Sequence, residues 1–185
     1  MSPSHKTRCA WVNLNNKAYV AYHDTEWGVP VYDDHLLFEI LLLETFQSGL
    51  SWECVLNKRT AFREAFDDFN ATKIAHYDAK KHQALTDNAG IIRHKGKIQA
   101  ATKNARVFLA IQEEWGSFAK YLWHWTKDTV CYETGKTTSP LSDTISKDLK
   151  KRGMSFVGSI TIYSYLQAIG IINGHEPHCH CYAGK

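Results

Sequence analysis

Four side chains of the types that bind soft metal ions stand at the two ends of this 185-residue chain. Cys9 and His23 lie near the beginning, and His175 and Cys179 lie four positions apart near the end. Two sulfur and two imidazole ligands suit a tetrahedral zinc ion, and four such ligands leave no coordination position for a catalytic water. A zinc ion held in this way would be structural, because it would join chain ends that otherwise fray.

The spacing of these ligands leaves a second interpretation open. Zinc fingers take their ligands from two tight pairs, whereas only the pair His175 and Cys179 is tight in this chain. Three further groups of the same kinds, His178, His180 and Cys181, crowd the same tail. A surface tail rich in histidine and cysteine that binds no metal would have the same composition.

One carboxylate falls on the apolar face of a predicted helix. Leu37, Ile40, Leu41 and Glu44 follow the i, i+3, i+4, i+7 pattern, which places Glu44 on the buried stripe and Glu39 on the solvent side. A buried acid costs free energy unless it finds hydrogen-bond donors or a cation. Glu44 is therefore either a ligand-binding group or a structural acid that pairs with an arginine, a helix N-terminus or solvent.

Aromatic residues surround Glu44 in the sequence. A carboxylate between aromatic planes is a suitable receptor for a flat cationic ring, because the rings stack on its faces and the acid balances its charge. Core packing explains each aromatic residue equally well when it is taken alone. The residues concerned are Tyr19, Tyr22, Trp27, Phe46 and Trp52.

Residues 142–170 predict two helices joined by a short glycine-containing turn. The first helix ends at Gly153, and Ser159 begins the second, directly after Gly158. Free backbone N–H groups at the start of the second helix would form a phosphate site without sequence preference. Lys151 and Arg152, just before the turn, would strengthen it. A plain connector between two helices would have the same pattern.

Positive charge is concentrated in two parts of the chain, although the net charge is only +3. No acidic residue lies between Asp87 and Glu113, and clusters of this kind can neutralise phosphates. A solvated helix face is the alternative for either cluster. The basic residues are Arg93, Lys95, Lys97, Lys103 and Arg106 in the first cluster and Lys147, Lys150, Lys151 and Arg152 in the second.

Length and composition predict a single globular domain over residues 1–185. The chain is long enough to bury a core, and apolar and charged residues make up 44% and 22% of it. We find no secretory signal and no run long enough to span a membrane. With five cysteines, an odd number, we expect a cytoplasmic protein with thiols or thiolate ligands instead of disulfides.

Helical periodicity dominates the chain and predicts an all-α fold. Asp33 or Asp34 should cap the helix that contains Glu44. Residues 126–140 have the weakest pattern and are expected to form an exposed loop, and all four prolines fall between the predicted helices. The other predicted helices are 52–57, 60–66, 79–87, 95–114, 117–125, 142–152 and 159–170.

Six sequence blocks together resemble the 3-methyladenine DNA glycosylase I family, a branch of the helix-hairpin-helix glycosylases that contains zinc. The blocks follow one order from about Arg8 to Tyr182, and their combination is highly specific. They are Arg8-Cys-Ala-Trp11, Tyr22-His-Asp-Thr-Glu-Trp-Gly-Val-Pro30, Leu43-Glu-Thr-Phe-Gln-Ser-Gly-Leu-Ser-Trp52, Ala89-Gly-Ile-Ile-Arg-His-Lys-Gly-Lys-Ile-Gln99, Lys150-Lys-Arg-Gly-Met-Ser-Phe-Val-Gly158 and 175–182.

The resemblance implies a role for specific residues of this chain. It assigns recognition of the damaged base to Glu44 and stacking on the base to Tyr22 and Trp52. Gly49 and Leu50 match the turn that separates the DNA strands. The implied structural zinc ligands are Cys9, His23, His175 and Cys179, and the implied DNA contacts of the hairpin are Lys151, Arg152, Gly158 and Ser159.

The implied activity is hydrolysis of the N-glycosidic bond of 3-methyladenine in double-stranded alkylated DNA, which leaves an abasic site. Methylation of the ring nitrogen makes the base cationic and therefore a good leaving group, and the enzyme must extrude it from the duplex. Glu44 would then distinguish the cation from neutral adenine. A monomer is expected.

Two other functions remain as alternatives at this stage. Many relatives in the wider superfamily carry a catalytic Asp after the second hairpin helix, whereas 171–174 contain no acid. No lysine opens that helix after Gly158, so we expect no Schiff-base lyase step. A bifunctional glycosylase-lyase is thus the less favoured enzyme. A zinc-containing DNA-binding module without enzymatic activity is the other alternative, although such a module has no use for a buried Glu44.

Overall fold

The computed structural model describes residues 6–183 of the chain. The predicted domain also included residues 1–5 and 184–185, which lie outside the described residues. The fold is mostly helical, as predicted. Its helices are α1 (Lys17–Thr25), α2 (Asp34–Gln47), α3 (Trp52–Leu56), α4 (Arg59–Ala65), α5 (Ala71–Ile74), α6 (Ala79–Asp87), α7 (Lys95–Trp115), α8 (Phe118–His124), α9 (Pro140–Arg152) and α10 (Ser159–Ala168).

Helix α2 lies at the centre of the fold and packs against α3, α7, α8 and α10. It begins at the predicted cap, since the Asp33 side chain accepts a hydrogen bond from the Leu36 N–H. Every residue from Leu37 to Phe46 is buried, so the helix has no solvent face. The predicted buried stripe with Glu44 is confirmed, but the predicted solvent side with Glu39 is wrong, because neighbouring helices cover residues 37–46 on all sides.

The chain also contains a small element of sheet, which corrects the strictly all-α prediction. Strands β1 (Cys131–Tyr132) and β2 (Ile172–Asn173) pair in parallel. Strand β1 falls inside the segment predicted as an exposed loop, and its pairing fixes that segment against the chain that follows α10. Two residues are too few for a recognisable strand pattern in the sequence.

Several shorter elements differ from the prediction. Pro140 is the first residue of α9, where its missing N–H costs nothing, so one proline does not lie between helices. Helix α1 carries Tyr22 and His23 and was not predicted, because the Asn16 side chain caps a segment with little apolar pattern. Helix α5, with only four residues, was also missed.

Helices α9 and α10 pack against each other and are joined by residues 153–158, as the sequence predicted. Gly153 has a left-handed backbone conformation with φ of 107° and ends α9. Within residues 6–183, no helix is both long enough and apolar enough to cross a membrane.

Candidate active site and metal cluster

Glu44 lies in the last turn of α2 and is buried, with 3% of its surface exposed. One carboxylate oxygen, Oε2, has no hydrogen-bond partner among the described residues. Burial alone raises the pKa of Glu44 to about 8. At neutral pH the carboxyl group is therefore mostly protonated, and a cation that enters the site would favour its ionised form.

Glu39, about one and a half turns earlier on α2, is a second buried acid and provides a comparison for Glu44. It was expected on the solvent side but is 2% exposed. Its Oε1 accepts a hydrogen bond from Arg59 Nε at 2.5 Å and lies 2.8 Å from Arg63 Nη2. Arg59 also contacts Glu26 at 2.6 Å. Glu39 is thus a paired buried acid, whereas Glu44 has no cationic partner within 4 Å in the described chain.

A cavity of about 310 Å³ contains Glu44, Tyr22 and Trp52, so the three residues predicted to bind the base do come together. The ring centroids of Tyr22 and Trp52 are 5.3 Å apart, and their planes are inclined by 45°. The Trp52 Nε1 group is buried and, like Glu44 Oε2, lacks a partner among the described residues. Unpaired buried polar groups in a cavity indicate a ligand that supplies the missing partners.

The same cavity includes residues to which the sequence analysis gave no role. Tyr19 and Trp27 were noted as neighbours in sequence, and both line the cavity. Gln47 follows Glu44 by three positions on α2, and the other residues come from segments distant from Glu44 in the chain. Only their nearness in sequence to Cys9 or His175 could have suggested Trp11, Gly174 and Glu176. Besides Tyr19 and Trp27, the lining residues without a predicted role are Trp11, Gln47, Gly135, Lys136, Ser164, Gln167, Gly174 and Glu176.

Gly49 and Leu50 form an exposed turn between α2 and α3, directly after the cavity residue Gln47. Gly49 has φ of 81°, a left-handed conformation that disfavours other residues. Leu50 is 41% exposed, and its N–H donates to the Gln47 carbonyl at 2.7 Å. An apolar side chain therefore projects from a fixed turn beside the cavity.

The predicted DNA contacts of the hairpin fall into two groups, and neither lines the cavity. Lys151 and Arg152 lie in the last turn of α9, whereas Ser159 lies against the first turn of α9, about 13 Å away along that helix. Lys151 is exposed, whereas Arg152 is already paired with Asp148 at 2.7 Å and with Glu114 at 2.5 Å. The Ser159 hydroxyl contacts the side chains of Ser142 and Asp143. Gly158 has open space where a side chain would stand. The N–H groups of 159–161 make no hydrogen bond within the described residues, as expected for a free helix N-terminus.

The first basic cluster is only partly a surface feature. Lys97 is 5% exposed and contacts backbone carbonyl groups, and the exposed Arg106 donates to the Ala75 carbonyl at 2.8 Å. Lys97 is therefore not available to neutralise a phosphate. Lys95 and Lys103 are exposed on α7.

The four predicted metal ligands converge. The ligand atoms of Cys9, His23, His175 and Cys179 all lie within 4.8 Å of one another, and all four residues are buried. Sulfur-to-nitrogen distances are 3.4 Å between Cys179 and His23 and 3.6 Å from His175 to each cysteine. A tetrahedral zinc ion with ordinary bond lengths places such atoms about 3.6 Å apart. The donor set and its spacing fit zinc.

Neighbouring groups orient the two histidines of this cluster. His23 Nδ1 lies 2.8 Å from Asp24, and His175 Nε2 lies 3.1 Å from the Trp27 carbonyl, which leaves the other ring nitrogen of each histidine for the cluster. Burial lowers the pKa of both imidazoles and raises that of the Cys9 thiol to about 12. The imidazoles are therefore neutral, and a cation would offset the cost of burying thiolates.

The other tail groups occupy different positions around the cluster. Cys181 and His180 lie next to Cys179 and form a second, partly exposed group with it. His178 is exposed and lies 3.1 Å from Glu176 instead. Among the described residues, the only buried four-residue set is therefore the predicted one.

Aromatic contacts connect the cluster to the cavity. The Trp27 ring lies edge-on to His175 with centroids 4.6 Å apart, and the Trp11 ring lies 5.3 Å from His23. Trp11 and Trp27 also contact each other, and both line the cavity. Trp11 and Trp27, which form one wall of the cavity, thus pack on the histidines of the Cys/His cluster.

Comparisons with known proteins identify the relatives of this chain. The family model for methyladenine glycosylase matches residues 11–182. DNA-3-methyladenine glycosylase 1 of Escherichia coli is 44% identical over 96% of this chain and 98% of its own length. The corresponding enzyme of Haemophilus influenzae is 39% identical over 95% of this chain and 97% of its own.

Solved structures give the same result for the fold. A crystal structure of 3-methyladenine DNA glycosylase I superposes with a TM-score of 0.91 and 42% identity, over 95% of this chain and all of the other. A structure of such an enzyme in complex with 3-methyladenine has a TM-score of 0.90 and 34% identity, over 94% and 96% of the two chains. The resemblance inferred from the sequence blocks is confirmed, and this chain belongs to the methyladenine glycosylase family.

Proposed function

We propose that this protein is a DNA-3-methyladenine glycosylase of base-excision repair, which hydrolyses the N-glycosidic bond of 3-methyladenine in double-stranded alkylated DNA and leaves an abasic site. The observation that carries the proposal is the unpaired, buried carboxyl group of Glu44 in an aromatic cavity. The enzymes of Escherichia coli and Haemophilus influenzae, which bear the same name, support it.

Recognition of the base follows from the electrostatics of the cavity. A methylated, cationic adenine ring placed against Tyr22 and Trp52 brings its positive charge near Glu44, which then ionises and accepts a hydrogen bond from the exocyclic amine. Neutral adenine cannot offset the cost of ionising a buried acid whose pKa is about 8. Selectivity for the damaged base is therefore a selectivity for charge.

The bond cleavage needs little further assistance. The bond between the sugar C1′ and the ring nitrogen breaks, its electron pair neutralises the positive base, and the oxocarbenium-like sugar is captured by a water molecule that then loses a proton. We assign to Glu44 the role of stabilising the bound cation and positioning it for this step. Tyr22 and Trp52 hold the ring plane.

The exposed turn and the hairpin provide the contacts with DNA in this proposal. Leu50, carried by the turn at Gly49, would enter the space that the extruded base leaves. The free N–H groups at Gly158 and Ser159 would bind a phosphate at the positive end of α10, and Lys151, at the other end of α9, would contact a different phosphate. Arg152 would first have to exchange its carboxylate partners. The protein would act in the cytoplasm as a single-domain monomer.

A structural zinc ion is part of the proposal. Cys9, His23, His175 and Cys179 would hold it, with Asp24 and the Trp27 carbonyl orienting the two imidazoles. Zinc with two thiolates and two imidazoles is a closed site that links the chain ends and takes no part in the reaction.

We also propose that the enzyme is monofunctional. The start of α10 carries no lysine, but the exposed Lys136 lines the cavity and is the residue to test for Schiff-base chemistry. Borohydride added during turnover should trap no covalent DNA adduct with the wild-type protein or with Lys136→Ala. An adduct that disappears in Lys136→Ala would make the protein a glycosylase-lyase.

The test of the function is release of 3-methyladenine from methylated duplex DNA by the purified protein. We expect release well above that in buffer, and loss of the preference for the cationic base in Glu44→Ala. A protein that binds DNA in a salt-dependent manner but releases no base would instead be a non-enzymatic zinc module. Its DNA affinity would not respond to changes at Glu44, Tyr22 or Trp52.

A further inference from the structure

Lys97 is a buried ammonium group for which the proposed reaction provides no role. It lies in the first turn of α7 and is 5% exposed. No carboxylate lies within 4.0 Å of its Nζ among residues 6–183. Burial lowers its pKa. A buried cation without an anionic partner costs free energy, so other interactions of the ammonium group must offset the cost of its desolvation.

The position of Lys97 is unfavourable for its own helix. The N-terminus of a helix carries partial positive charge, and the first turn of α7 contains no acidic residue. The ammonium group instead lies at the C-terminus of α2, where the last carbonyl groups carry partial negative charge. Lys97 Nζ donates to the Phe46 carbonyl at 2.9 Å and to the Ser48 carbonyl at 2.6 Å.

These two hydrogen bonds fix the end of the helix that contains Glu44. Gln47, between the two acceptor residues, lines the cavity, and the turn with Gly49 and Leu50 follows directly. Lys97 therefore holds the backbone on both sides of Gln47, just before the turn that carries Leu50.

The same ammonium group also contacts the hairpin between α9 and α10. Its Nζ lies 5.9 Å from the centre of the Phe156 ring, within the range of a cation–π interaction. Asn104, two turns further along α7, donates to the Ser155 carbonyl at 3.0 Å and accepts from the Ser155 N–H at 2.8 Å. Helix α7 is thus the common support for the turn and the hairpin.

We propose that Lys97 is a positioning residue that fixes the Gly49–Leu50 turn relative to the hairpin at residues 153–158. When the hairpin binds the duplex, the turn then contacts the duplex at a fixed distance from the hairpin. This inference rests on the proposed DNA glycosylase function. A direct contact between Lys97 and a phosphate is disfavoured, because the side chain is buried and two of its three donors are occupied.

The test compares Lys97→Met with Lys80→Met, which removes an exposed positive charge from α6, outside both basic clusters. We expect Lys97→Met to lower single-turnover excision of 3-methyladenine from a duplex about tenfold, as expected for loss of a charge-assisted hydrogen bond. Affinity for free 3-methyladenine, followed by tryptophan fluorescence, should change less than about twofold, because Lys97 does not line the cavity. Lys80→Met should excise within about twofold of wild type.

Two further measurements separate positioning from other roles. Excision of a damaged base opposite an abasic site should fall much less in Lys97→Met, since that base is cheaper to extrude. The dependence of DNA affinity on salt should stay unchanged, whereas loss of a phosphate contact would reduce the slope by about 1. If Lys97→Met does not fold, Lys97→Gln keeps one donor group and should show the same pattern with a smaller loss.

Three results would overturn the inference. Equal excision by the Lys97 variant and wild type would remove any role for the residue. An equal loss for free-base affinity and for excision would make Lys97 part of the cavity support. A reduced salt slope would make it a phosphate ligand. Failure of the proposed function is distinguishable from all three, because the wild-type protein itself would then release no 3-methyladenine.

Discussion

Two buried glutamates on one helix differ in what surrounds them, and this difference defines the site. Glu39 and Glu44 are 2% and 3% exposed, but only Glu39 contacts arginine side chains. The Glu39 contacts stabilise a charge that the fold itself supplies. The cavity at Glu44 can instead accept a ligand whose positive charge balances the carboxylate.

This contrast predicts opposite effects of the same substitution on stability. The pKa of Glu44 is raised from 4.5 to about 8 in the folded protein. The contribution of Glu44 to the free energy of unfolding is therefore fully present below pH 4.5 and is lost as the pH rises towards 8. Glu44→Gln removes the titration, and its melting temperature should exceed that of wild type increasingly between pH 5 and 8. Thermal unfolding followed by circular dichroism over this range measures the difference.

Glu39→Gln provides the matched control for that experiment. It leaves Arg59 and Arg63 without their shared partner and should destabilise the fold at pH 7 by about 3 kcal/mol. A Glu44→Gln protein that is less stable than wild type at pH 8 would show that Glu44 has a cationic or donor partner in solution.

Without the family resemblance, candidate site residues stood out in the sequence where the residue type was anomalous. Glu44 was found because an acid interrupted an apolar run, and Cys9, His23, His175 and Cys179 because of their ligand types. Lys97 was assigned to a surface cluster, since nothing in its neighbouring sequence indicates that it caps the end of a helix some fifty positions earlier. Long-range partners of this kind are fixed by packing.

At the scale of elements, periodicity and caps predicted most helices, including the short α3, α4 and α8, but not α1 and α5. Helices α6 and α7 were predicted within one residue of their observed bounds. Helix α1, which carries Tyr22 and His23, was missed because its apolar pattern is weak and its cap is a single asparagine. The cavity could not be predicted as a volume, since its lining combines α1, α2, α3, α10 and the segment after β1.

The turn between α2 and α3 yields a prediction at this scale. Leu50→Ala should lower excision of 3-methyladenine from duplex DNA about tenfold, because the extruded base is no longer replaced by an apolar side chain. Binding of the free base should stay within about twofold of wild type, since Leu50 does not line the cavity. Leu14→Ala, at a leucine 61% exposed elsewhere on the surface, is the control. Unchanged excision by Leu50→Ala would argue against insertion of this side chain into DNA.

At the scale of the whole molecule, the cluster of cysteines and histidines joins residue 9 to residue 179 and also supports the cavity. Trp11 and Trp27 contact both the cluster histidines and the cavity. The convergence of the four ligands was predictable from their types, but their connection to the cavity through tryptophan rings was not. A change that disorders the cluster should therefore also displace Trp11 and Trp27 in the cavity wall.

Removal of the metal tests this connection. We expect one zinc ion per chain by elemental analysis, and chelation should lower the melting temperature by several degrees or more and weaken binding of 3-methyladenine. Cys9→Ser should reproduce both effects, whereas Cys54→Ser, outside the cluster, should reproduce neither. A protein that contains no zinc, or whose stability ignores both the chelator and Cys9→Ser, would contradict a structural metal site.

The charge of Glu44 is tested most directly by the pH dependence of base release. For wild type, kcat/KM for 3-methyladenine in duplex DNA should rise about tenfold per pH unit up to about pH 8, because only the ionised carboxylate balances the cationic base. Glu44→Gln should be slower by about 100-fold near pH 8 and should show no such rise. A wild-type profile that is flat between pH 6 and 8, or a glutamine variant as fast as wild type, would contradict the account.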